Sequence, residues 1–354
     1  MYGVSVLFAL SLLLSKIKTY FGRSARLSSP RRLSMGLFIL KRTLTLLLTL
    51  LGTSIVVFLV LEILPGNAAQ MLMGPDAAPE AVAELAQQLG LNQPAWERYV
   101  HWISGLVQLD LGNSYSYGTP VIELIAERMA LTLPLALMAM AITTVVALAA
   151  GIYAASRHNK IGDVGVMGLA QLGIAIPNFW FAILLILLFS VHLKWFSAGG
   201  FPGWTEASGG SPGAALQSLM LPALSLAVVQ AAILARITRS SVLEVLREDF
   251  VRTARAKGLS QRAALYGHVL RNAMVPVVTV MGLQFAELMA GTIVVENVFY
   301  LPGMGRLIFQ AIANRDLMVV RNCVMLLAAM VVIVNFVVDL LYAWIDPRTK
   351  ASDI

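Results

Sequence analysis

Six stretches of this chain are apolar over a length that can cross a bilayer, and no other feature restricts its fold as severely. A spanning helix needs roughly 20 mainly apolar residues, because each residue rises about 1.5 Å and the hydrocarbon layer is about 30 Å thick. The stretches cover residues 44–64, 131–155, 164–190, 219–237, 275–295 and 324–345. In lipid every backbone N–H and C=O must find its partner within the protein, which favours helices over open strands. Only 13% of the residues are charged, about half the share of a soluble domain. The expected fold class is therefore all-α, a polytopic membrane protein with six transmembrane helices.

The loops give the sidedness. Lys16, Lys18, Arg23, Arg26, Arg31, Arg32, Lys41 and Arg42 precede the first span with no acid among them. Residues 65–130 hold Asp76, Glu80, Glu84, Glu97, Asp110, Glu123 and Glu127 against Arg98 and Arg128. Lys and Arg accumulate on the cytoplasmic side, so the amino terminus is expected inside. The alternation continues with Arg157 and Lys160, then with the Lys and Arg residues between Arg236 and Arg271, then with Arg348 and Lys350. Both termini are thus expected to be cytoplasmic. The net charge of +7 follows largely from this bias, and no nucleic-acid partner is expected.

The chain divides accordingly. Residues 1–34 form a cytoplasmic N-terminal extension. Its apolar part, residues 4–14, is too short to span and lacks a basic segment before it, so it is not expected to be a cleaved signal peptide. Met35 makes a natural start for the first transmembrane unit, residues 35–64. Residues 65–130 form an outer, periplasmic cap with two helical pieces, residues 79–90 and 94–108. The second presents Trp96, Tyr99 and Trp102 at helical spacing, which suits the membrane interface. Residues 131–346 form the core with five spans and a charged loop at residues 242–274, and residues 347–354 form a cytoplasmic tail.

Several chemistries are missing. No GxxxxGK[ST] phosphate cradle occurs. His101, His158, His192 and His268 fall on different loops, and a single cysteine, Cys323, excludes a disulfide within the chain. The spans offer only the scattered acids Glu62, Glu287 and Asp339. The chain is not expected to be an enzyme, to hold a metal or to bind a cofactor of its own.

The charged loop stands out between two apolar runs. Arg247, Arg252, Arg255, Lys257, Arg262, His268 and Arg271 crowd into it. Residues 242–257 read as an amphipathic helix with Leu243, Leu246, Phe250 and Ala254 on the apolar face. Gly258 stops that helix, Ser260 caps a second one running to about Asn272, and Pro276 opens the fifth span. Two short helices joined at a glycine make a knob suited to a groove on another protein. A basic helix lying on anionic lipid is the competing reading.

The segment "DFVRTARAKGLSQRAALYGHVLRNAMVPVVT" resembles the cytoplasmic coupling loop, or EAA motif, of permease subunits of binding-protein-dependent ABC importers. The likeness is to the dipeptide, oligopeptide, glutathione and nickel branch. "LEILPGN", "LPALSLAVVQAAILARITRSS", "MGLQFAELMAGTIVVENVFYLPGMGRL" and "NFVVDLLYAWIDPR" are similar to the same family in the same order. The resemblance implies that Asp249, Arg252, Thr253, Ala254, Arg255, Ala256, Lys257 and Gly258 form the coupling helix seated on an ATPase. Arg252 stands where the general motif has a glutamate, so a contact built on that glutamate does not carry over. The implied partners are a second homologous permease, two ATP-binding cassette ATPases that hold ATP and Mg, and an extracytoplasmic substrate-binding protein, with membrane lipid around the spans. Dipeptides or oligopeptides are the expected cargo, with glutathione or a nickel chelate compatible with the same frame.

The fifth span carries the expected pathway. Met281, Gln284, Leu288 and Gly291 recur at three- or four-residue spacing, with Glu287 beside them. An ionisable group inside a span costs a few kcal/mol against lipid, so Glu287 is expected to face protein or a water-filled cavity. Glu62 and Glu296 are expected at the outer interface. Pro302, Gly303 and Gly305 in "FYLPGMGRL" call for a tight turn suited to a gate or docking ledge. "IPN", residues 176–178, marks a kink in the third span. Asp339, near the inner end of the last span, is expected to be satisfied by water or Arg348. A stand-alone transporter coupled to Glu287 and Asp339, which leaves the knob unexplained, and a membrane scaffold, which the intramembrane glutamate disfavours, are the other readings of the spans.

Overall fold

A computed structural model describes residues 35–63, 68–74, 77–88 and 90–345. The expected extension at residues 1–34 and tail at residues 347–354, Arg348 included, lie outside them. Among the described residues the chain is helical without a strand ladder, and Asn113 and Pro120 form one isolated bridge.

The helices, in chain order, are α1 (Met35–Ile63), α2 (Ala68–Met73), α3 (Pro79–Gln88), α4 (Ala95–Gln108), α5 (Val121–Ser156), α6 (Ile161–Ala175) and α7 (Asn178–Leu185). They continue as α8 (Pro212–Val245), α9 (Asp249–Ala256), α10 (Gln261–Ala264), α11 (Leu270–Val298), α12 (Met304–Ala313) and α13 (Leu317–Ile345). Wider π-helical turns prolong α7 through His192 and join α10 to α11. Five uninterrupted helices are long and apolar enough to span, and the third apolar run is a bent pair that counts as the sixth if its halves form one span.

That bend is sharper than the expected kink. The halves α6 and α7 meet at 102°. Ile176 leaves the helical region (φ −91°, ψ 122°) because the ring of Pro177 crowds the residue before it, and Pro177 offers no N–H to continue the ladder. Pro134, Pro222 and Pro276, by contrast, sit inside unbroken helices. Pro276 therefore does not open the fifth span, which starts 15 residues earlier at Gln261 and continues through the π turn.

Helix α8 is the hub. Ser211 caps it by accepting from the amide of Ala214 at 3.2 Å, and Pro212 occupies the first turn, where its missing N–H costs nothing. Leu219, Leu226 and Leu234 are fully covered by α5, α7 and α11. Lipid tails are as apolar as these side chains, so the association rests on close fit rather than on escape from water. Gly151 of α5 shows the closeness: a Cβ there would lie 2.7 Å from the carbonyl of Ala235 and 2.6 Å from Thr238. Gly282 of α11 leaves room in the same way for Val338 of α13.

Helix α1 leans on α13, where Arg42 pairs with Asp339 at 2.7 Å. Asp339 thus finds its partner on the first span. The cap helix α4 is docked on the bundle rather than lying free at the lipid surface. Trp102 is 4% exposed and donates to Asn322 at 2.9 Å, Tyr99 bonds Ser54 at 2.8 Å, and the two rings meet Phe58. Only Trp96 of the expected interfacial trio projects outward, at 67% exposed. Glu62 pairs with Arg98 of α4.

Candidate coupling knob, seam and outer clasp

The knob is shorter and more sharply bounded than the sequence suggests. Residues 242–257 are not one helix: α8 runs to Val245, the backbone turns at residues 246–248, and α9 starts afresh at Asp249. The side that faces the bundle also shifts by one residue. Val251, 1% exposed, enters a small core with Ala155, Val242, Leu265 and Val269, while Phe250 stays 43% exposed. Asp249, Arg252, Thr253, Arg255, Ala256, Lys257 and Gly258 are all exposed, and Ala254 is half-buried. The i,i+3 pair of Arg252 and Asp249 at 3.3 Å lies in the open and adds little stability.

Gly258 ends the knob at φ +96°, a left-handed conformation that any side chain disfavours by about 1–2 kcal/mol. A Cβ there would meet nothing within 4 Å, so the conformation, not crowding within the chain, requires the glycine. Ser260 caps the next turn by accepting from the amide of Ala263 at 3.2 Å, as its position suggests. Beside α9 lies an open cavity of about 530 Å³ between the end of α8 and His158. Its wall is fixed by Arg239, which grips the buried Asp163 through two bonds of 2.5 and 2.7 Å and also reaches His158 at 3.2 Å. This clamp ties the first turn of α6 and the loop before it to the last turns of α8, and neither Asp163 nor Arg239 stands out in the sequence.

The fifth-span residues separate into two groups. Gln284 (3% exposed) and Leu288 (1%) are packed into the seam with α8, where the Gln284 side chain donates to the carbonyl of Gln230 at 3.0 Å. Met281 and Gly291 are half-buried, and Gly291 makes room for Leu226, whose Cδ2 would lie 3.1 Å from a Cβ there. Glu287 lies at the exposed rim of the same seam, with the Gln230 amide donating to it at 3.1 Å.

The turn after α11 is irregular, as Pro302, Gly303 and Gly305 suggest, but a further apolar helix, α12, begins at once. Pro302 is half-buried, and Gly303 and Gly305 are buried. The organising group is Glu296, expected at the outer interface and instead 0% exposed. Its carboxylate accepts the Thr132 hydroxyl at 2.6 Å and the Gly305 amide at 2.6 Å, and Thr132 accepts the Met304 amide at 2.9 Å. A helix N-terminus has free N–H groups and favours negative charge, so Glu296 acts as a cap delivered from another helix. A Cβ on Gly303 would fall on that carboxylate, and one on Gly305 would strike the backbone of Ile293. A second buried acid, Asp316, draws in the loop before α5, accepting from Ser114 at 2.5 Å and the Ser116 amide at 3.0 Å. Spacing gives no sign of either clasp, because Thr132 and Glu296 are 164 residues apart and Ser114 and Asp316 are 202 apart.

A bundle of apolar helices long enough to span, with an exposed charged helix between two of them, defines a multi-pass membrane protein. The chain belongs to the family described as binding-protein-dependent transport system inner membrane component, which matches residues 147–351, and its N-terminal counterpart matches residues 35–136. Members are non-catalytic inner-membrane subunits, with ATP hydrolysis carried by a separate chain. A protein of Brucella abortus (strain 2308) named as a peptide transport system permease is 43% identical over 316 residues, covering 89% of this chain and 99% of the relative. The glutathione transport system permease protein GsiC of Escherichia coli (strain K12) is 42% identical, covering 88% and 98%. The dipeptide transport system permease protein DppB of Alkalihalophilus pseudofirmus is 37% identical, covering 88% and 99%. The fold is also similar to a chain of the MetNI methionine ABC transporter, with a TM-score of 0.52 at 18% identity, covering 64% of this chain and 97% of that one.

Proposed function

We propose that this chain is one of two homologous permease subunits of an ATP-driven importer of dipeptides or oligopeptides. The observation that carries the reading is the exposed helix Asp249–Ala256, closed by Gly258 and held to the bundle by Val251 alone among its residues. It offers Phe250, 43% exposed, among Arg252, Arg255 and Lys257, the mixture of an apolar anchor and a charged rim that suits a protein groove. Two ATPase subunits, holding ATP and Mg, dock on the two knobs, and a substrate-binding protein delivers cargo at the opposite face. The excess of Lys and Arg supports a cytoplasmic position for the knob and both termini. The printed functions of the relatives favour peptides as cargo.

In this mechanism the ATPases supply the energy and the permease supplies two packings of the same helices. Movement of α9 passes through the core of Val251 and Leu265 into α11. The pathway is assigned to the open side of α11 at Glu287, with the half-buried Met281 and Gly291 beside it and Gln284 and Leu288 packed behind, and the apolar faces left exposed on α1 and α7 meet lipid. Mild-detergent purification from the native membrane, with mass spectrometry of what stays bound, tests the assembly. A second permease and ATPase subunits are expected, and Gly258→Val is expected to lose the ATPases. Recovery of the chain alone, where a known importer stays intact, would overturn the reading.

A further inference from the structure

The seam between α7, α8 and α11 holds hydrogen-bond acceptors with nothing to accept. Gln230 (7% exposed) and Gln284 (3% exposed) each have a buried side-chain oxygen without a partner, as does Asn178 at the start of α7. Their orientations follow from their donors. Gln230 points its amide nitrogen at the Glu287 carboxylate, 3.1 Å away, and Gln284 points its own at the carbonyl of Gln230 at 3.0 Å. Turning either amide round would set oxygen against oxygen, so the free atoms are acceptors. Glu287 forms no ion pair among the described residues.

Gln230, Gln284 and Glu287 are joined by these two bonds, and Asn178 lies beside Gly291, about one turn further along α11. Gln284 and Glu287 are three apart on α11, and Gly291 follows four residues later, where a Cβ would lie 3.9 Å from the Asn178 amide. Leaving a buried polar atom without a partner is unfavourable, and the two glutamine oxygens beside the exposed Glu287 carboxylate favour a ligand that donates hydrogen bonds. The donor must be cationic, compact and able to give several hydrogen bonds. A protonated primary amine has three N–H groups and one charge, which matches one carboxylate and a set of amide oxygens. A calcium or magnesium ion takes six or more oxygen ligands, whereas one carboxylate and these amide oxygens supply at most five.

We infer that this seam is the recognition site for the protonated amino terminus of the transported peptide, an inference that rests on the peptide-import reading. Glu287 is the counter-ion, and the side-chain oxygens of Gln230 and Gln284 receive the N–H groups. The amide oxygens are covered in this conformation while Glu287 is open, so the amine meets Glu287 first and the full set is engaged as the seam parts. Ligand binding thereby favours the parted state.

The test uses the co-purified permease and ATPase complex in lipid nanodiscs, without binding protein, and measures equilibrium binding of trialanine, N-acetyl-trialanine and butylammonium. Trialanine and butylammonium are expected to bind saturably, and acetylation to weaken binding at least tenfold, about 1.4 kcal/mol. Glu287→Gln is expected to weaken both amines by a similar factor while leaving the acetylated peptide unchanged. Equal binding of free and acetylated peptide, no saturable binding of either amine, displacement of butylammonium by sodium at equal concentration, or indifference to Glu287→Gln would each overturn the site. If the variant does not assemble, the acetylation comparison on the wild-type complex decides alone. ATP-driven uptake with binding protein separates the two readings. Peptide uptake without amine selectivity at Glu287 removes the site and keeps the importer, whereas amine binding without uptake of any peptide removes the cargo assignment and keeps the site.

Discussion

Replacing Glu296 by alanine tests how the outer turn is held. The carboxylate receives the Thr132 hydroxyl and the Gly305 amide, both at 2.6 Å and both shielded from water. Its removal strands those donors, at about 1–3 kcal/mol for each that cannot re-aim, and leaves a small void, for a total of about 3–5 kcal/mol. Glu296→Gln keeps one acceptor oxygen and is expected to lose about 1–3 kcal/mol. With an unfolding entropy of ~2 cal/mol/K per residue, the alanine variant should melt about 4–7 °C below wild type. Thermal melting in detergent, with limited proteolysis at the turn around Tyr300, provides the readout. Gly303→Ala adds a sharper check, because its Cβ would fall on the Glu296 carboxylate. The glycine substitution should therefore cost clearly less in the Glu296→Ala background than in wild type. Melting of Glu296→Ala within about 1 °C of wild type, or equal costs for Gly303→Ala in both backgrounds, would refute the clasp.

Phe250→Ala should leave melting of the isolated chain unchanged, since the ring is 43% exposed, yet weaken ATPase retention by at least fivefold, read as subunit ratio after detergent dilution. Asp316→Ala strands the Ser114 hydroxyl and Ser116 amide and should expose the loop before α5 to protease, at a cost of about 2–4 kcal/mol. Gly282→Ala drives a Cβ into Val338, and about 1–3 kcal/mol of overpacking should be relieved when Val338→Ala is added, as a double-mutant cycle in thermal melting would show. Arg42 and Asp339 are each more than a third exposed, so the coupling between Arg42→Ala and Asp339→Ala should stay below about 1 kcal/mol.

What the sequence revealed depended on how local the cause was. Ends set by a single residue type were readable: Gly258 with its positive φ, Ser260 as a cap, Pro79 at the start of α3. The apolar runs located the spans, since a bilayer imposes length directly. The 102° turn at Pro177 was visible only as a kink, because proline breaks the ladder while packing of α6 and α7 against α8 chooses the angle. Helix α12 was hidden behind a Pro and Gly run that reads as loop, and the start of its helical ladder depends on a carboxylate from the preceding span. Glu296 and Asp316 were misread or missed for the same reason, as their partners come from distant segments. Around Phe250 and Val251 the amphipathic pattern was right in kind and wrong by one residue, because the break at residues 246–248 resets the helical phase.

The fifth span has a mechanical consequence. It runs from Gln261 to Val298 for 38 residues, so knob and clasp sit near the two ends of one rod about 57 Å long. Gly282, whose missing side chain lets Val338 approach closely, falls close to the middle, where a pivot would divide the rod into two nearly equal arms. A tilt of about 10° there swings each tip by about 5 Å in opposite directions, with no residue along the rod changing its backbone angles. With a gear ratio near one, a stroke applied at the charged tip reappears at the clasp at nearly full amplitude and reversed in sign.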